Sequence, residues 1–283
     1  MSLDNQSVQG WGFVTPALLW TVAFFVVPFI VMGAMSLATL EGRTLIWGVS
    51  LANYAEIAEK AYIWRAFLVS LEITVTVTVV AVILAYPLAW IIAFRVPPEW
   101  QRLALLLAVL PFWTSYVVRS YAWLLVLARE GMVNQAMMGI GLISEPVTLA
   151  NTRFATVTGF VHFFVMLLTL TIYANLIQLS PNYRRAAMDL GASAFQTFRH
   201  VILPLTLPGV VTGAFLTFVL CIGDYVTPQI LGGNSELTVP QVIMVQLGRR
   251  ADFPLASALA IALMCIVTLA YILSARWLRL DRL

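Results

Sequence analysis

The stretch SPNYRRAAMDLGASAFQTFRHVILP, Ser180 to Pro204, lies between two long apolar runs and is punctuated unlike any other loop in the chain. Ser180 followed by Pro181 is a helix start: a side chain to cap the first free N–H groups, then a ring that sets φ for the first turn. Gly191 suits the left-handed residue that ends a helix. Ser193 and Gln196 have the spacing of a capping box, so a second helix begins there and runs to Pro204. Ala186, Ala187 and Leu190 give the first helix a small apolar face, and Arg184, Arg185 and Asp189 rim that face with charge. Two readings stay open. The face docks into a cleft on a cytosolic partner, or the helix lies on lipid headgroups with its arginines in water.

On both sides of this loop the chain is made for lipid. Of its 283 residues 61% are hydrophobic and only 10% charged, with a mean hydropathy of +0.92. A soluble domain carries about a quarter charged residues, enough to cover a wetted surface. About 20 apolar residues cross a bilayer as a helix. Six runs meet that length: Gly12–Leu37, Ala66–Phe94, Leu103–Ala128, Phe154–Leu179, Leu205–Leu231 and Leu255–Leu278. They are too long and continuous for the alternation of a barrel strand. The expectation is an all-α integral membrane protein of about six transmembrane helices. It forms a single transmembrane domain over residues 1–283, with residues 180–204 as a loop on one membrane face. No basic segment precedes the first apolar run, so the first helix is expected to be retained.

Orientation follows the distribution of basic residues. With both termini cytoplasmic, the inner segments hold Arg95, Arg102, Arg184, Arg185, Arg199, Arg276, Arg279 and Arg282. The outer segments hold Arg43, Lys60, Arg65, Arg119, Arg129, Arg153, Arg249 and Arg250. The counts are equal, but the inner charges sit in shorter segments at helix ends, which favours this orientation. A net charge of +3, spread along the chain, gives no footprint for nucleic acid. Cys221 and Cys265 lie inside apolar runs and read as small buried hydrophobes, with no metal spacing. Lys60 is the single lysine and has no glycines around it. A P-loop is therefore missing, and ATP hydrolysis cannot come from that motif in this chain.

Charges at membrane depth line a cavity or pair with one another. Glu72 and Asp224 fall inside spans. With the second span starting near Ala66, Glu72 lies roughly 9 Å deep, and Asp224 falls in the same outer half, so one chamber can hold both. Gly223 before Asp224 and Pro228 after it loosen the helix there, and broken backbone at that depth lines water or protein. Tyr225 stands beside the carboxylate. Phe112, Trp113, Tyr116 and Tyr121 lie along the third span with Arg119 among them. Carboxylate with aromatic faces suits an organic cation. Asp224, Glu72, Tyr225, Trp113, Tyr116 and Arg119 are the candidate substrate-path residues. The alternative is that Arg119 pairs with Glu72 or Asp224 to hold helices together, and that the aromatics anchor the interface. The glycines of Gly209–Gly213, GVVTG, allow close helix packing within the chain or against a second one. Gly232, Gly233 and Asn234 read as a turn.

Residues Ala186–Gly209, AAMDLGASAFQTFRHVILPLTLPG, resemble the EAA loop of permeases in binding-protein-dependent ABC importers. The matching positions are Ala186, Ala187, Gly191 and the Ile202, Leu203, Pro204 ending, with Ile202 one residue nearer the LP than in that motif. Leu110–Asn134 and Gly223–Gly233 are similar to the polyamine-type branch, which handles spermidine and putrescine. The resemblance implies the type I importer fold in a bacterial inner membrane, with a cytoplasmic coupling helix in the 180–204 loop. Arg185, Ala186, Ala187, Asp189, Leu190 and Gly191 would then be the ATPase-coupling positions. It also implies partners: a second permease subunit, two copies of a cytoplasmic ATPase holding ATP and Mg, and a periplasmic substrate-binding protein. No cofactor is implied in this chain. Arg185 stands where the motif has glutamate, so the ion pair of that glutamate is not expected here.

Two other classes compete. An ion-coupled secondary transporter would use Glu72 and Asp224 as coupling carboxylates, but such folds show internal repeats that are not evident here. A membrane enzyme needs a base or metal ligands at depth. His162 has no carboxylate three or four residues away, and it reads as a packing residue or part of a cavity wall.

Overall fold

The computed structural model describes residues 14–42, 44–233 and 237–278, with side chains to 275. The expectations for the extreme N-terminus, Gly12, Arg43, Asn234 and the terminal arginines lie outside the described residues. The chain forms two compact units, Met1–Trp64 with Val242–Cys265, and Arg65–Gln241 with Ile266–Leu283.

The first unit begins with α1, Val14–Leu37. A π turn, Val22–Val26, interrupts α1 just before Pro28, with the Val27 N–H bonded back to Val22 O. Proline lacks an N–H and crowds the preceding turn, and one widened turn absorbs both effects. A short hairpin follows, β1 Thr39–Glu41 and β2 Thr44–Ile46, then α2, Ala52–Glu59. Asn53 is buried and its Nδ2 donates to Ser36 O (2.9 Å) and Ala38 O (2.7 Å). Those carbonyls at the end of α1 would otherwise be left open.

The second unit carries the candidate site residues. Its core lies between α3, Ala61–Phe94, and α7, Arg153–Leu176. On α3, Val77, Ala81, Ala85 and Ala89 recur every fourth residue and are fully buried. Facing residues Phe160, Phe164, Leu168, Ile172 and Leu176 repeat at the same period in one apolar cluster. Small residues on one helix and large ones on the other interlock, which is how helices associate without help from water. The second span thus starts five residues earlier than expected, and Glu72 lies eleven residues, about 16 Å, along its helix.

The third span is not the continuous Leu103–Ala128 helix expected. It splits into α4, Pro98–Val109, a 3-10 turn Leu110–Trp113, and α5, Tyr116–Val126. The two arms are bent by 90°. Pro111 removes a helical donor, and Thr114 and Ser115 are extended. The Thr114 hydroxyl donates to Pro111 O at 2.7 Å and closes the break. A short helix, α6, Met132–Gly139, follows.

The fifth span differs at both ends. The second helix of the 180–204 loop does not stop at Pro204. It continues into the span as α9, Ala194–Ile222. A π turn, Phe198–Ile202, precedes Pro204 as one precedes Pro28, with Leu203 N–H bonded to Phe198 O. At the far end the helix stops at Ile222 and resumes as α10, Val226–Leu231. Gly233, within the expected turn, takes a left-handed φ of +68°. The chain continues through α11, Val239–Val245, and a π turn, Gln246–Arg250, to α12, Phe253–Leu278. Asp252 caps α12 by accepting from Leu255 N at 3.0 Å. Five helices are long and apolar enough to cross a membrane among the described residues, or six with the bent α4–α5 pair as one. Cys221 is buried as expected, but Cys265 is exposed on α12, because the face that carries it is left uncovered by the described residues.

The GVVTG glycines pack within the chain. A Cβ at Gly209 would run into the Asn175 side chain, and one at Gly213 would meet Leu168 at 2.8 Å. Both partners are on α7. Gly209→Leu is therefore expected to lower the stability of the assembled transporter by about 1–3 kcal/mol through overpacking, read as a fall in the midpoint of detergent-solubilised thermal unfolding.

Candidate functional site

The 180–204 loop is built as its punctuation indicates. Helix α8, Pro181–Asp189, starts with Ser180 Oγ accepting from Asn182 N (3.4 Å). It ends with Gly191 at φ +84°. The Gly191 N–H bonds to Met188 O (2.9 Å) and the Ala192 N–H to Ala187 O (3.0 Å), the paired bonds of a Schellman ending. Ser193 Oγ accepts from Gln196 N (3.3 Å), and Gln196 Oε1 accepts from Ser193 N (2.8 Å), closing the capping box. Tyr183, Arg185, Ala186, Met188 and Asp189 are exposed, Ala187 is half-buried, and Leu190 is 89% exposed. Leu190 is thus held out from a two-helix elbow on which Tyr183 and Met188 are exposed as well.

The second cluster surrounds Asp224. Gly223 ends α9, and the Asp224 carboxylate folds forward onto the next helix. Its Oδ1 accepts from Val226 N (2.8 Å) and its Oδ2 from Thr227 N (3.4 Å). An aspartate bonding two residues ahead makes a turn of its own side chain. The Tyr116 hydroxyl donates to Oδ2 and also bonds the Thr227 hydroxyl. The breaks in the third and fifth spans are thereby tied together, α5 to α10, through one carboxylate. Thr227 and Phe163 were not singled out from sequence. Thr227 carries the signal of a hydroxyl three residues after a capping aspartate, whereas Phe163 carries none.

Arg119, 8% exposed, pairs with neither Glu72 nor Asp224 among the described residues. Its Nη1 donates to Pro111 O (3.2 Å), across the break in its own span. Its guanidinium lies 5.0 Å from the Phe163 ring and 5.6 Å from the Tyr116 ring. Phe112 stacks on Phe163 at 5.2 Å, and Tyr116 meets Phe163 edge-on at the same distance. The arginine thus adds a third donor to a carbonyl that already takes the Thr114 N–H and hydroxyl, and ring faces take its charge.

Glu72 stands apart. Its exposed carboxylate takes Arg153 Nη1 of α7, a partner the sequence pattern did not single out. The small cavity walled by Asp224, Ser70, Thr74, Cys221, Pro228 and Thr238 does not include Glu72. The expected shared chamber is not formed. The cavity measures only about 10 Å³, room for one water and far too little for an organic cation. Tyr225 is half-buried at the start of α10, and Trp113 projects from the 3-10 turn at 77% exposed. His162 Nδ1 accepts from Trp123 Nε1 at 2.9 Å, so that histidine is a satisfied packing residue. It also lines an open apolar groove of about 610 Å³ with Val80, Pro111 and Trp123.

Residues 17–280 match the family described as "Binding-protein-dependent transport system inner membrane component". The chain is 30% identical over 275 residues to the spermidine/putrescine transport system permease protein PotB of Haemophilus influenzae, covering 95% of this chain and 93% of that one. It is 31% identical over 211 residues to the inner membrane ABC transporter permease protein YdcU of Escherichia coli, covering 71% and 67%. Among solved structures, a chain of a bacterial alginate ABC transporter superposes with a TM-score of 0.79 at 16% identity, covering 97% and 96%. A chain of the MetNI methionine ABC transporter gives 0.59 at 16% identity, covering 76% and 94%. These two share the fold. The chain belongs to the binding-protein-dependent transport system inner membrane components: it is a multi-pass permease subunit of an ABC importer, working in a complex with an ATPase and a substrate-binding protein.

Proposed function

We propose that this permease conducts a small organic cation, a polyamine such as putrescine or spermidine or a related amine, into the cytoplasm. The observation that carries this reading is the Asp224 carboxylate held at the break between α9 and α10, with Tyr116 and Tyr225 beside it. An anionic group set among aromatic rings is the lining an ammonium prefers. The relatives named for spermidine and putrescine support it. Trp113 extends this aromatic path, and Arg119 positions it by holding the Pro111 break. Glu72, paired with Arg153, serves at the edge of the path.

The narrow cavity at Asp224 supports a chamber completed by a second permease subunit rather than by this chain alone. On this reading both termini are cytoplasmic, and residues 1–283 act as one permease domain. Arg185, Ala186, Ala187, Asp189, Leu190 and Gly191 present the 180–204 elbow to one of two ATPase copies, which carry ATP and Mg. A periplasmic binding protein delivers the substrate. The test is ATP-dependent uptake of labelled spermidine and putrescine by proteoliposomes holding the complete transporter. Saturable uptake that requires enclosed ATP and the binding protein is the expected result. Uptake by this chain alone, driven by an ion gradient, would instead establish secondary transport.

A further inference from the structure

A cavity of about 290 Å³ lies where the coupling elbow meets the ends of the spans. Its walls are apolar: Ala93 and Phe94 from the end of α3, Pro98 from α4, Leu179, and Ile202 and Leu205 from α9. Its polar rim is of a different kind. Arg184 lies over the Phe94 ring at 5.9 Å, and Ser180 and Tyr183 bring hydroxyls. The amide N–H groups of Gln101 are already spent on Ala93 O (3.2 Å) and Val96 O (3.1 Å). The rim therefore offers a cation and hydroxyl donors, and the walls offer hydrocarbon. Arg95 and Arg102 flank the lining segments and are exposed, as is Arg185, against the two acids Glu99 and Asp189. Trp100, 59% exposed on the first turn of α4, has the placing of a headgroup-level anchor beside the opening.

We infer that this cavity is a site for an anionic glycerophospholipid of the cytoplasmic leaflet, phosphate on Arg184 and acyl chain along Phe94 and Leu205. Basic pockets between membrane helices on the cytoplasmic side take such headgroups. A rim with a guanidinium and two hydroxyls able to donate suits an acceptor-rich group, and a phosphodiester has acceptors alone. The apolar walls exclude a bare ion. The lipid would lie between the α3–α4 turn and the first turn of α8, so its occupancy would stiffen the joint through which the elbow moves the bundle. The cytoplasmic placing rests on the proposed orientation, but the ligand does not depend on what the transporter carries.

The complete transporter, purified in a neutral detergent, is exposed to phosphatidylglycerol and phosphatidylcholine in equal amounts, and retained lipid is measured by native mass spectrometry. Wild type is expected to retain phosphatidylglycerol over phosphatidylcholine by about fivefold, the worth of one basic residue near a membrane surface. Arg184→Gln is expected to bring the ratio near one, and Arg184→Lys to keep most of it. Leu205→Trp, filling the cavity, is expected to release both lipids. Equal retention in wild type, or an unchanged preference in Arg184→Gln, overturns the site. Displacement of the lipid by excess inorganic phosphate alone would make the ligand a free anion and overturn the lipid assignment. Because no substrate is added, these outcomes are independent of whether spermidine uptake is found.

Discussion

Gly191→Pro is expected to abolish ATP-driven uptake while the transporter remains assembled in the membrane. Gly191 sits at φ +84° with nothing within 4 Å of the place a Cβ would take. Space is not its constraint; the backbone is. Proline holds φ near −65° and donates no hydrogen bond. The substitution removes the Gly191 N–H bond to Met188 O and forces the chain out of its left-handed turn. The angle between α8 and α9 is set at that turn, so Leu190 and Ala187 would be presented in the wrong direction. Gly191→Ala grades the effect: an L residue in the left-handed region costs roughly 1–2 kcal/mol, and a partial loss of uptake follows. For the proline variant uptake should fall by more than about tenfold, a change worth roughly 1.4 kcal/mol of coupling. ATPase activity that no longer responds to the loaded binding protein is the matching sign. Near-normal uptake by Gly191→Pro would end the coupling role of this elbow.

Asp224→Asn separates the two duties of the carboxylate. Asparagine retains an oxygen for Val226 N, so α10 keeps its cap, but the negative charge is gone. Asp224→Ala removes both and should cost about 1 kcal/mol for the lost cap alone. If the carboxylate pairs with a substrate ammonium, Asp224→Asn loses uptake by more than about tenfold with little change in thermal stability, since a lost charge-assisted bond is worth roughly 1.5–3 kcal/mol. Normal uptake by Asp224→Asn, with loss only in Asp224→Ala, would reduce the residue to a structural cap. Spermidine concentration dependence read alongside an unfolding midpoint distinguishes the cases.

The two site clusters were legible to different degrees, for a physical reason. The 180–204 elbow is a local object. Ser180, Gly191, Ser193 and Gln196 act on backbone groups within five residues of themselves, so spacing alone describes the helix, the turn and the next helix. The Asp224 cluster is half local. Gly223 and Pro228 announced the broken helix, but the hydroxyl on its carboxylate comes from Tyr116, 108 positions away. Arg119 shows the limit most plainly. A buried cation near two acids invites an ion pair, yet its hydrogen bond goes to the Pro111 carbonyl at the break in its own span and its charge to ring faces. The sequence could not rank those partners, because charge attraction acts at any separation and the fold decides which groups meet. Glu72 was drawn to Asp224 by depth alone, and its helical face instead brings it to Arg153.

The sequence by itself determined what local chemistry and solvent demand. Its apolar runs are too long and too poor in charge for anything but lipid, and its caps and glycine turn specify the elbow. The absence of a P-loop leaves the motor elsewhere. Only the tertiary structure decided where the prolines act, because the cost of a missing N–H depends on what surrounds it. Pro28 and Pro204 are absorbed by π turns, and Pro111 becomes a 90° break held by an arginine. It also decided that Gly209 and Gly213 face α7 and that the two carboxylates occupy separate places. Those outcomes depend on which side chains approach across separations of up to 108 residues, and periodicity along the chain carries no record of that.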